Sequence, residues 1–296
     1  MKQINAGKFV FTGELEPVKT TNLEEVIEGA KILKDHVVAI NITDNPTAFG
    51  YMNALVPSYM IQKEVGVEAV YQVTTRDRNR LALLSDLLAA GALGIKNVLA
   101  LTGDHTTVGD TPQAKPVFDL DSATFVYMLR KMIDEGLDLN NNEIENPPKF
   151  NIGIAAAPNA DPLEAEILKI ERKVKLGVDF IQTQCVYSVE QVKNFLEATS
   201  YLKTPILIGI APFKSTSMMN WMVQYVPGIK VPSEIQETLF KAKKKGGKEA
   251  VYEANIEIFS ELLREIRKTT NATGIHTMAI GFEWIVPKII ERAGII

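Results

Sequence analysis

Short runs of apolar and β-branched residues alternate with longer amphipathic segments along nearly the whole chain. The apolar runs predict eight strands, over residues 9–14, 37–43, 68–73, 97–102, 151–157, 179–184, 204–210 and 274–280. Each run is almost continuously apolar, which is typical of parallel strands that are covered on both faces. Strands that alternate with helices in this way predict an α/β protein with a parallel sheet.

The segments between these runs carry helix signals. Two apolar stripes recur at helical spacing and end at a glycine, and they predict helix faces packed on the core. Their residues are Leu81, Leu84, Leu87 and Leu88 before Gly91, and Leu163, Ile167, Ile170 and Val174 before Gly177. Thr21 and Ser188 each begin a capping-box pattern, with Glu24 and Gln191 three residues later, and so predict two helix starts.

The eight strand–helix units show no break in composition, which predicts one domain over residues 1–296. An open doubly wound sheet of this size usually binds a nucleotide at a glycine-rich first turn. Neither G-x-G-x-x-G nor G-x-x-x-x-G-K-[ST] occurs in the chain. The pattern therefore favours a closed (β/α)8 barrel, or TIM barrel, as a single domain.

Composition and charge exclude several classes of protein. The chain is 46% hydrophobic and has a net charge of −4, so it lacks the basic surface expected of a nucleic-acid-binding protein. The basic run over 241–248 is interpreted as the exposed end of a helix that stops near Gly246. About 18 uninterrupted apolar residues would be needed for a membrane span, and none occur. The amino terminus has no signal-peptide pattern, so a cytoplasmic protein is expected.

Cysteine and histidine are scarce. Cys185 is the only cysteine, and His36, His105 and His276 lie far apart in the sequence. No metal site, disulfide or hydrolytic triad is therefore predicted. Cys185 is interpreted as a packed apolar residue and not as a nucleophile.

In a barrel of this type the active site lies at the carboxyl ends of the strands. Glu14 and Glu16, at the end of the first strand, are two residues apart and should point to the same face. A carboxyl group that is partly removed from water holds its proton more readily and can serve as a general acid. An ordinary ion pair at the barrel rim is an equally good interpretation of these two residues.

Three further strand ends carry polar groups. Asn41 ends the second strand, and Gly103 and Asp104 end the fourth, where glycine permits close approach to a ligand and the carboxylate can accept from ring or amino donors. A plain turn is the alternative there. Gln182 and Gln184 should share one face of the sixth strand, and either brace the barrel or bind a heterocycle.

Together, the strand ends and loops resemble the methylenetetrahydrofolate reductase family, flavin-dependent barrel enzymes of one-carbon metabolism. The similarity extends from about Phe9 to Ile295. The matching pieces are GELEP at 13–17, ALTGD at 100–104, KPVFDLDS at 115–122, APNADPLEAE at 157–166, RKVKLGVDFIQTQ at 172–184, IGIAPFKS at 208–215, IHTMAIG at 275–281 and VPKIIERAGI at 286–295.

The resemblance implies roles for individual residues. Glu14 is similar to the general acid of the family, Asp104 to an aspartate near both flavin and pterin, and Gln184 to a glutamine that binds folate. The positions that correspond to flavin contacts are Asn41, Thr102, Gly103, Asp104, Asp121 and Ser122, with Arg172 and Lys173 at the phosphates. From pattern alone, the last two would be an exposed helix face.

The resemblance also implies a reaction, the reduction of 5,10-methylenetetrahydrofolate to 5-methyltetrahydrofolate in methionine biosynthesis. Electrons would come from NAD(P)H through a flavin, with FAD favoured over FMN, in a homo-oligomer or with a partner subunit. Gln72, Ala157 and Phe282 replace a histidine, a tyrosine and an arginine of family members, and some members have an arginine at Thr102. A flavin-free methyl-transferring barrel and a flavin- or folate-binding subunit of a larger complex are the alternatives.

Overall fold

The computed structural model describes residues 1–295. Eight parallel strands close into a barrel in chain order, and β1 pairs with β8 to complete the ring. The strands are β1 (Val10–Leu15), β2 (Ala39–Ile42), β3 (Glu68–Thr74), β4 (Asn97–Leu101), β5 (Asn151–Ala156), β6 (Phe180–Cys185), β7 (Ile206–Ile210) and β8 (Gly274–Thr277). The predicted (β/α)8 barrel is confirmed. The largest error is at β8, predicted to reach residue 280, because a turn begins at Ala279, whose carbonyl accepts from the Phe282 N–H.

Helices connect the strands and surround the barrel. They are α1 (Lys2–Asn5), α2 (Glu24–Leu33), α3 (Leu55–Met60), α4 (Arg80–Ala92), α5 (Ser122–Arg130), α6 (Leu163–Lys175), α7 (Val189–Ala198), α8 (Thr216–Tyr225), α9 (Ser233–Thr269) and α10 (Ile285–Ala293). Gly246 and Gly247 leave helical geometry and divide α9 into two parts, and the basic run ends there as interpreted. Within residues 1–295, no helix is both long and apolar enough to cross a membrane.

Two of the predicted helix signals are confirmed and two need correction. Ser188 caps α7 by accepting from the Gln191 N–H at 3.3 Å. Thr21 does not cap α2, because the Asn22 side chain takes that place and accepts from the Glu24 N–H at 2.9 Å. The second stripe lies on α6 as predicted, with Ile170 fully buried.

In α4 the predicted stripe is displaced. Leu83 and Leu87 are fully buried, whereas Leu81 is 73% exposed. Because α4 carries leucines on two faces, its sequence is compatible with either face being buried. The face that packs on the core is the one that continues through buried Ala90.

The barrel interior is apolar only in its lower part. Six side chains from six strands form a separate apolar cluster there, namely Val10, Ala39, Val70, Leu99, Phe180 and Leu207. Met1 and Ile4, beside and within α1, pack against this cluster from below and close the amino-terminal end of the barrel. We refer to these six residues as the apolar floor. Most of the polar side chains inside the barrel lie above the floor, and the candidate site is built there.

Strand β6 contains a bulge. Gln182 pairs with Leu207 and Cys185 pairs with Gly209, so three steps along β6 oppose two along β7. A Cβ atom at Gly209 would lie 2.1 Å from the Thr183 carbonyl oxygen, so the bulged strand fits only against glycine. The bulge leaves Cys185 buried in the layer outside the barrel, where burial raises the pKa of its thiol to about 12. The interpretation of Cys185 as a packed apolar residue is confirmed.

We expect Gly209→Ala to destabilise the protein by about 2 kcal/mol, because the added methyl group overlaps the β6 backbone. Gly50→Ala is the matched control, since a Cβ there meets only Asp110 Oδ1 at 3.9 Å. The control should be neutral or stabilising by about 0.5 kcal/mol. Denaturant unfolding of both variants checks this expectation, and equal midpoints for the two would contradict it.

Candidate active site

A cavity of about 500 Å³ opens at the carboxyl ends of the strands. This volume lies within the usual range for pockets that bind small molecules. The cavity brings together four residues predicted from the sequence, namely Glu14, Gly103, Asp104 and Gln184. Gln72, Gln182 and His276 also line it, and the run Ala155–Ala157 at the end of β5 forms a wall of small side chains.

Glu14 lies at the bottom of this cavity with its side chain directed into the barrel. The residue is only 8% exposed. The Gln72 amide donates to Glu14 Oε2 at 2.7 Å, and His276 Nε2 lies 3.4 Å from the same oxygen. The interpretation of Glu14 as part of an ion pair at the rim is therefore excluded by its position inside the barrel. The carboxyl group is held by neighbouring side chains and faces the space where a ligand would bind.

Beneath Glu14, four buried side chains form a layer of hydrogen bonds across the barrel. We call Thr12, Asn41, Gln182 and His276 the polar layer. Asn41 and Gln182 exchange two amide hydrogen bonds of 2.7 and 3.1 Å. Gln182 also donates to Thr12 Oγ1 at 3.1 Å, and Thr12 Oγ1 lies 3.0 Å from His276 Nδ1. Of the two interpretations left open for Gln182, bracing of the barrel is the one its contacts support.

The structure places Asn41 differently from the other predicted residues. Asn41 is fully buried and both ends of its amide are bonded to Gln182. It lies below the cavity and does not line it. Any effect of Asn41 on a bound ligand would therefore pass through Gln182, which does line the cavity.

Glu16 follows β1 and is half-buried near Glu14. Burial and, secondarily, the charge of Glu14 raise the pKa of Glu16, while a hydrogen bond from Tyr51 lowers it in part. The electrostatic influence of Glu14 is consistent with the predicted shared face of the two residues. Glu16 does not line the cavity, so of these two glutamates only Glu14 would meet a ligand bound there.

Asp104 lies at the mouth of the cavity, in an exposed loop that a buried arginine holds in place. Arg76 is 2% exposed, donates to the backbone carbonyls of Asp104 at 3.2 Å and Asn45 at 3.1 Å, and pairs with Asp77 at 2.7 Å. Sequence reasoning missed Arg76. The signal was an arginine two residues after the end of β3, where a charged side chain must either point into the site or find buried partners.

Gly103 is a position where the backbone conformation requires glycine. Its φ is +88°, and a Cβ atom there would lie 3.1 Å from Thr74 Cβ and 3.2 Å from Arg76 Cβ. Asp44, also missed, accepts from the Thr74 N–H at 2.8 Å and from Arg78 at 2.7 Å. These contacts fix the loops around the mouth of the cavity.

The remaining predicted residues form a second group, between α5, α6 and the ends of β4 and β5. The Ser122 N–H donates to Thr102 Oγ1 at 3.2 Å, and Asp121 pairs with Arg172 at 3.3 Å. Asp121 also caps α5 by accepting from the Thr124 N–H at 2.7 Å. We call Thr102, Asp121, Ser122, Arg172 and Lys173 the α5–α6 cluster. Lys173 connects the cluster to the cavity, because its Nζ lies 3.4 Å from the carbonyl of Ala155 in the cavity wall.

The α5–α6 cluster fits an anionic group. Lys173 is buried, and no carboxylate lies within 4.0 Å of its ammonium among residues 1–295. Burial lowers the pKa of Lys173 below its ordinary value. A buried cation without a close anion costs free energy, and a ligand phosphate beside Lys173 and Arg172 would remove that cost. The donors therefore fit the phosphates of a flavin nucleotide. In the same described residues, no group of three His, Cys, Asp or Glu is arranged for a metal ion.

The positions that differ from family members have distinct environments. Gln72 donates to Glu14, and Ala157 belongs to the cavity wall. Phe282 is 1% exposed and packs against Tyr252 and Trp284, with ring centroids 4.9 and 5.1 Å away. Phe282 therefore belongs to the packing between α9 and the segment before α10, and it does not reach the cavity.

A family model described as methylenetetrahydrofolate reductase matches residues 1–294. The chain belongs to this family. The resemblance seen in the sequence motifs is thereby confirmed, as is the expectation that the chain is a member of an enzyme family.

Individual relatives within the methylenetetrahydrofolate reductase family are distant. Methylenetetrahydrofolate reductase 1 of Schizosaccharomyces pombe is 26% identical over 257 residues, which cover 84% of this chain and 40% of that protein. The chain thus spans less than half the length of this relative. The 5,10-methylenetetrahydrofolate reductase of Pectobacterium carotovorum is 22% identical over 245 residues, covering 75% of this chain and 74% of that protein.

A solved structure from Clostridium thermocellum is similar in fold. It is described as an uncharacterized protein that binds two copies of 5-methyl-5,6,7,8-tetrahydrofolic acid. The TM-score is 0.65 at 15% identity, with 99% of this chain and 96% of that chain covered. The similarity supports the barrel fold that this family member adopts.

We expect Lys173→Met to stabilise this family member by about 1 kcal/mol at neutral pH, because it removes a buried charge without a close anion. The pKa of Lys173 is lower in the folded than in the unfolded state, so the cost of burying its charge is fully present below the folded-state pKa. The difference between wild type and variant should shrink as the pH rises from that lowered pKa toward 10.5, where the unfolded state also loses its proton.

The control for this prediction is Lys175→Met on the same helix, where the side chain is 77% exposed. It should change the free energy of unfolding by less than about 0.5 kcal/mol at any pH. Denaturant unfolding over a range of pH measures both variants. A Lys173→Met protein that is less stable than wild type at neutral pH would show that the buried ammonium is satisfied within the fold.

Proposed function

We propose that this chain reduces 5,10-methylenetetrahydrofolate to 5-methyltetrahydrofolate, with electrons from NAD(P)H passed through a bound flavin. The observation that carries the proposal is Glu14, a carboxyl group inside the barrel that is oriented by Gln72 and His276 and faces the cavity. Membership in the methylenetetrahydrofolate reductase family supports the choice of folate as substrate. The proposal concerns the whole reaction, although the chain spans only part of its longer relatives.

The chemistry of the substrate requires a proton donor in the cavity. Its one-carbon unit bridges two folate nitrogens, and this carbon can accept a hydride only after one C–N bond breaks to leave an iminium. The departing nitrogen must take up a proton as that bond breaks. Glu14 donates this proton, and the carboxylate that remains is stabilised by the Gln72 N–H, 2.7 Å from Oε2.

Two other cavity residues bind and orient the substrate. The charge of Asp104 at the mouth favours the cationic iminium. Gln184 Oε1 already accepts from the Cys185 N–H at 2.9 Å, which leaves the Gln184 amide N–H groups to donate to the folate ring. The bulge in β6 brings Gln184 to the cavity wall beside Gln182.

The cofactor site in this proposal lies beside the substrate site. Arg172 and Lys173 would bind the phosphates, and Thr102, Gly103, Asp104, Asp121 and Ser122 would lie along the rest of the nucleotide. Asn41 would act from below, through Gln182. A bound flavin supplies hydride transfer. We favour FAD over FMN, and we propose that the nicotinamide and the folate use the same cavity in turn.

Glu14→Gln tests the proposal by separating the two half-reactions. Transfer of hydride from a nicotinamide needs no proton donor, so we expect the reduction by NAD(P)H to change little. The oxidation by 5,10-methylenetetrahydrofolate should slow by about 10²–10⁴-fold, which is the usual contribution of a positioned general acid. Rapid-mixing absorbance measurements follow each half-reaction by itself.

Glu16→Gln is the matched control for the Glu14 substitution. Glu16 shares the same segment but does not line the cavity, so its substitution should affect the folate half-reaction much less. If Glu14→Gln slowed both half-reactions equally, or neither, then Glu14 would have a structural role and the proposed acid would be wrong.

A further inference from the structure

We propose that the polar layer holds His276 in the tautomer with its proton on Nε2, and thereby makes Oε1 the oxygen from which Glu14 delivers its proton. The inference rests on the proposed function for its chemical step. The tautomer itself depends only on hydrogen bonds inside the barrel. His276, Gln72 and Gln182 act as positioning residues.

The orientation of the Gln182 amide is set by its pairing with Asn41. Asn41 Nδ2 donates to Gln182 Oε1 at 2.7 Å, and Gln182 Nε2 donates to Asn41 Oδ1 at 3.1 Å. This reciprocal pair turns the NH₂ end of Gln182 toward β1 and β8. The same nitrogen lies 3.1 Å from Thr12 Oγ1 and 3.4 Å from His276 Nδ1. An amide nitrogen can only donate, so both neighbours face a donor.

The tautomer of His276 is set by the two groups that face its Nδ1 atom. Thr12 Oγ1 accepts from Gln182, so its own O–H is free to donate to His276 Nδ1, 3.0 Å away. Nδ1 therefore faces the Thr12 hydroxyl and the Gln182 NH₂, both of which are donors, and must accept. A neutral imidazole whose Nδ1 accepts carries its proton on Nε2.

The His276 tautomer determines which oxygen of the Glu14 carboxyl group carries the proton. His276 Nε2 lies 3.4 Å from Glu14 Oε2, and Gln72 Nε2 donates to that same oxygen at 2.7 Å. Within residues 1–295, no side chain or backbone group is hydrogen-bonded to Oε1. A carboxyl proton on Oε2 would face the N–H groups of Gln72 and His276, so we place it on Oε1, the oxygen without a hydrogen-bond partner in the described part of the chain.

Proton transfer from Glu14 breaks the Oε1–H bond, and the electron pair of that bond stays on the carboxylate. The proton joins the folate nitrogen, which also keeps the electron pair of the broken C–N bond, while the other folate nitrogen forms the iminium. The negative charge of the new carboxylate is stabilised at Oε2 by the Gln72 N–H, 2.7 Å away, and by the His276 Nε2–H, 3.4 Å away.

The tautomer can be measured without cofactor or turnover. The chain has three histidines, so long-range ¹H–¹⁵N NMR resolves their ring nitrogens, and loss of signals in His276→Gln assigns His276. At about pH 8.5, where an ordinary imidazole is neutral, we expect a protonated Nε2 and an unprotonated Nδ1. A protonated Nδ1 would overturn the proposal, because the Asn41–Gln182 amide pair would then have the opposite orientation.

A matched pair of variants tests the role of Gln182. Gln182→Glu replaces the donor that faces Thr12 and Nδ1 with an acceptor, so we expect Nδ1 of His276 to become protonated. Gln184→Glu makes the same chemical change on the same strand, away from the imidazole, and should leave the tautomer unchanged. An unchanged tautomer in Gln182→Glu, or an equal change in both variants, would contradict the proposal.

The chemical consequence is tested at His276 itself. His276→Leu removes the Nε2–H group that lies 3.4 Å from Oε2, and should slow the folate half-reaction by about tenfold, because the carboxylate loses one of the two N–H dipoles beside it. Reduction by NAD(P)H should stay within about twofold. His276→Gln keeps an N–H at the end of the side chain and should restore most of the rate.

Equal rates in the Leu and Gln variants would show that His276 does not hold the carboxyl group through its N–H. Failure of the proposed function is a separate result, since wild-type protein would then not oxidise its flavin with folate, whichever tautomer the NMR spectrum reports.

Discussion

The site depends on a pair of buried amides at the centre of the barrel. Asn41 on β2 and Gln182 on β6 lie across the interior from each other and exchange two hydrogen bonds. Each would leave a buried polar group without a partner if the other were removed, at a cost of about 1–3 kcal/mol. The pair therefore fixes the two sides of the barrel against each other. It also separates the apolar floor, which stabilises the fold, from the carboxyl group above it.

A chain of contacts connects this amide pair to the rest of the site. Gln182 orients Thr12 and His276, and His276 together with Gln72 orients Glu14. The alanines at the end of β5 form one wall of the cavity that Glu14 lines, and Arg76 holds the loops around the cavity mouth. The α5–α6 cluster supplies cations beside that wall. One scaffold thus places a buried carboxyl group, an open cavity and a group of cationic side chains next to one another.

The local pattern of the sequence was enough to predict the strands, because each apolar run is buried on both faces. It also placed Glu14, Gly103, Asp104 and Gln184 at strand ends, which a barrel brings together. The polar layer could not be predicted this way, since Thr12 and His276 are 264 residues apart and meet only when β1 pairs with β8. The displaced stripe of α4 and the cap of α2 show the same limit, because tertiary packing and a neighbouring side chain decided between local alternatives.

The proposed use of a flavin to reduce a folate is tested most directly by the visible spectrum of the purified chain. We predict that the protein, as purified or after reconstitution with FAD, shows bound flavin absorbance. Anaerobic NAD(P)H should remove this absorbance, and 5,10-methylenetetrahydrofolate should then restore it. If the chain bound no flavin after reconstitution, or if the folate did not reoxidise its reduced flavin, the proposed flavin-dependent reduction would be wrong.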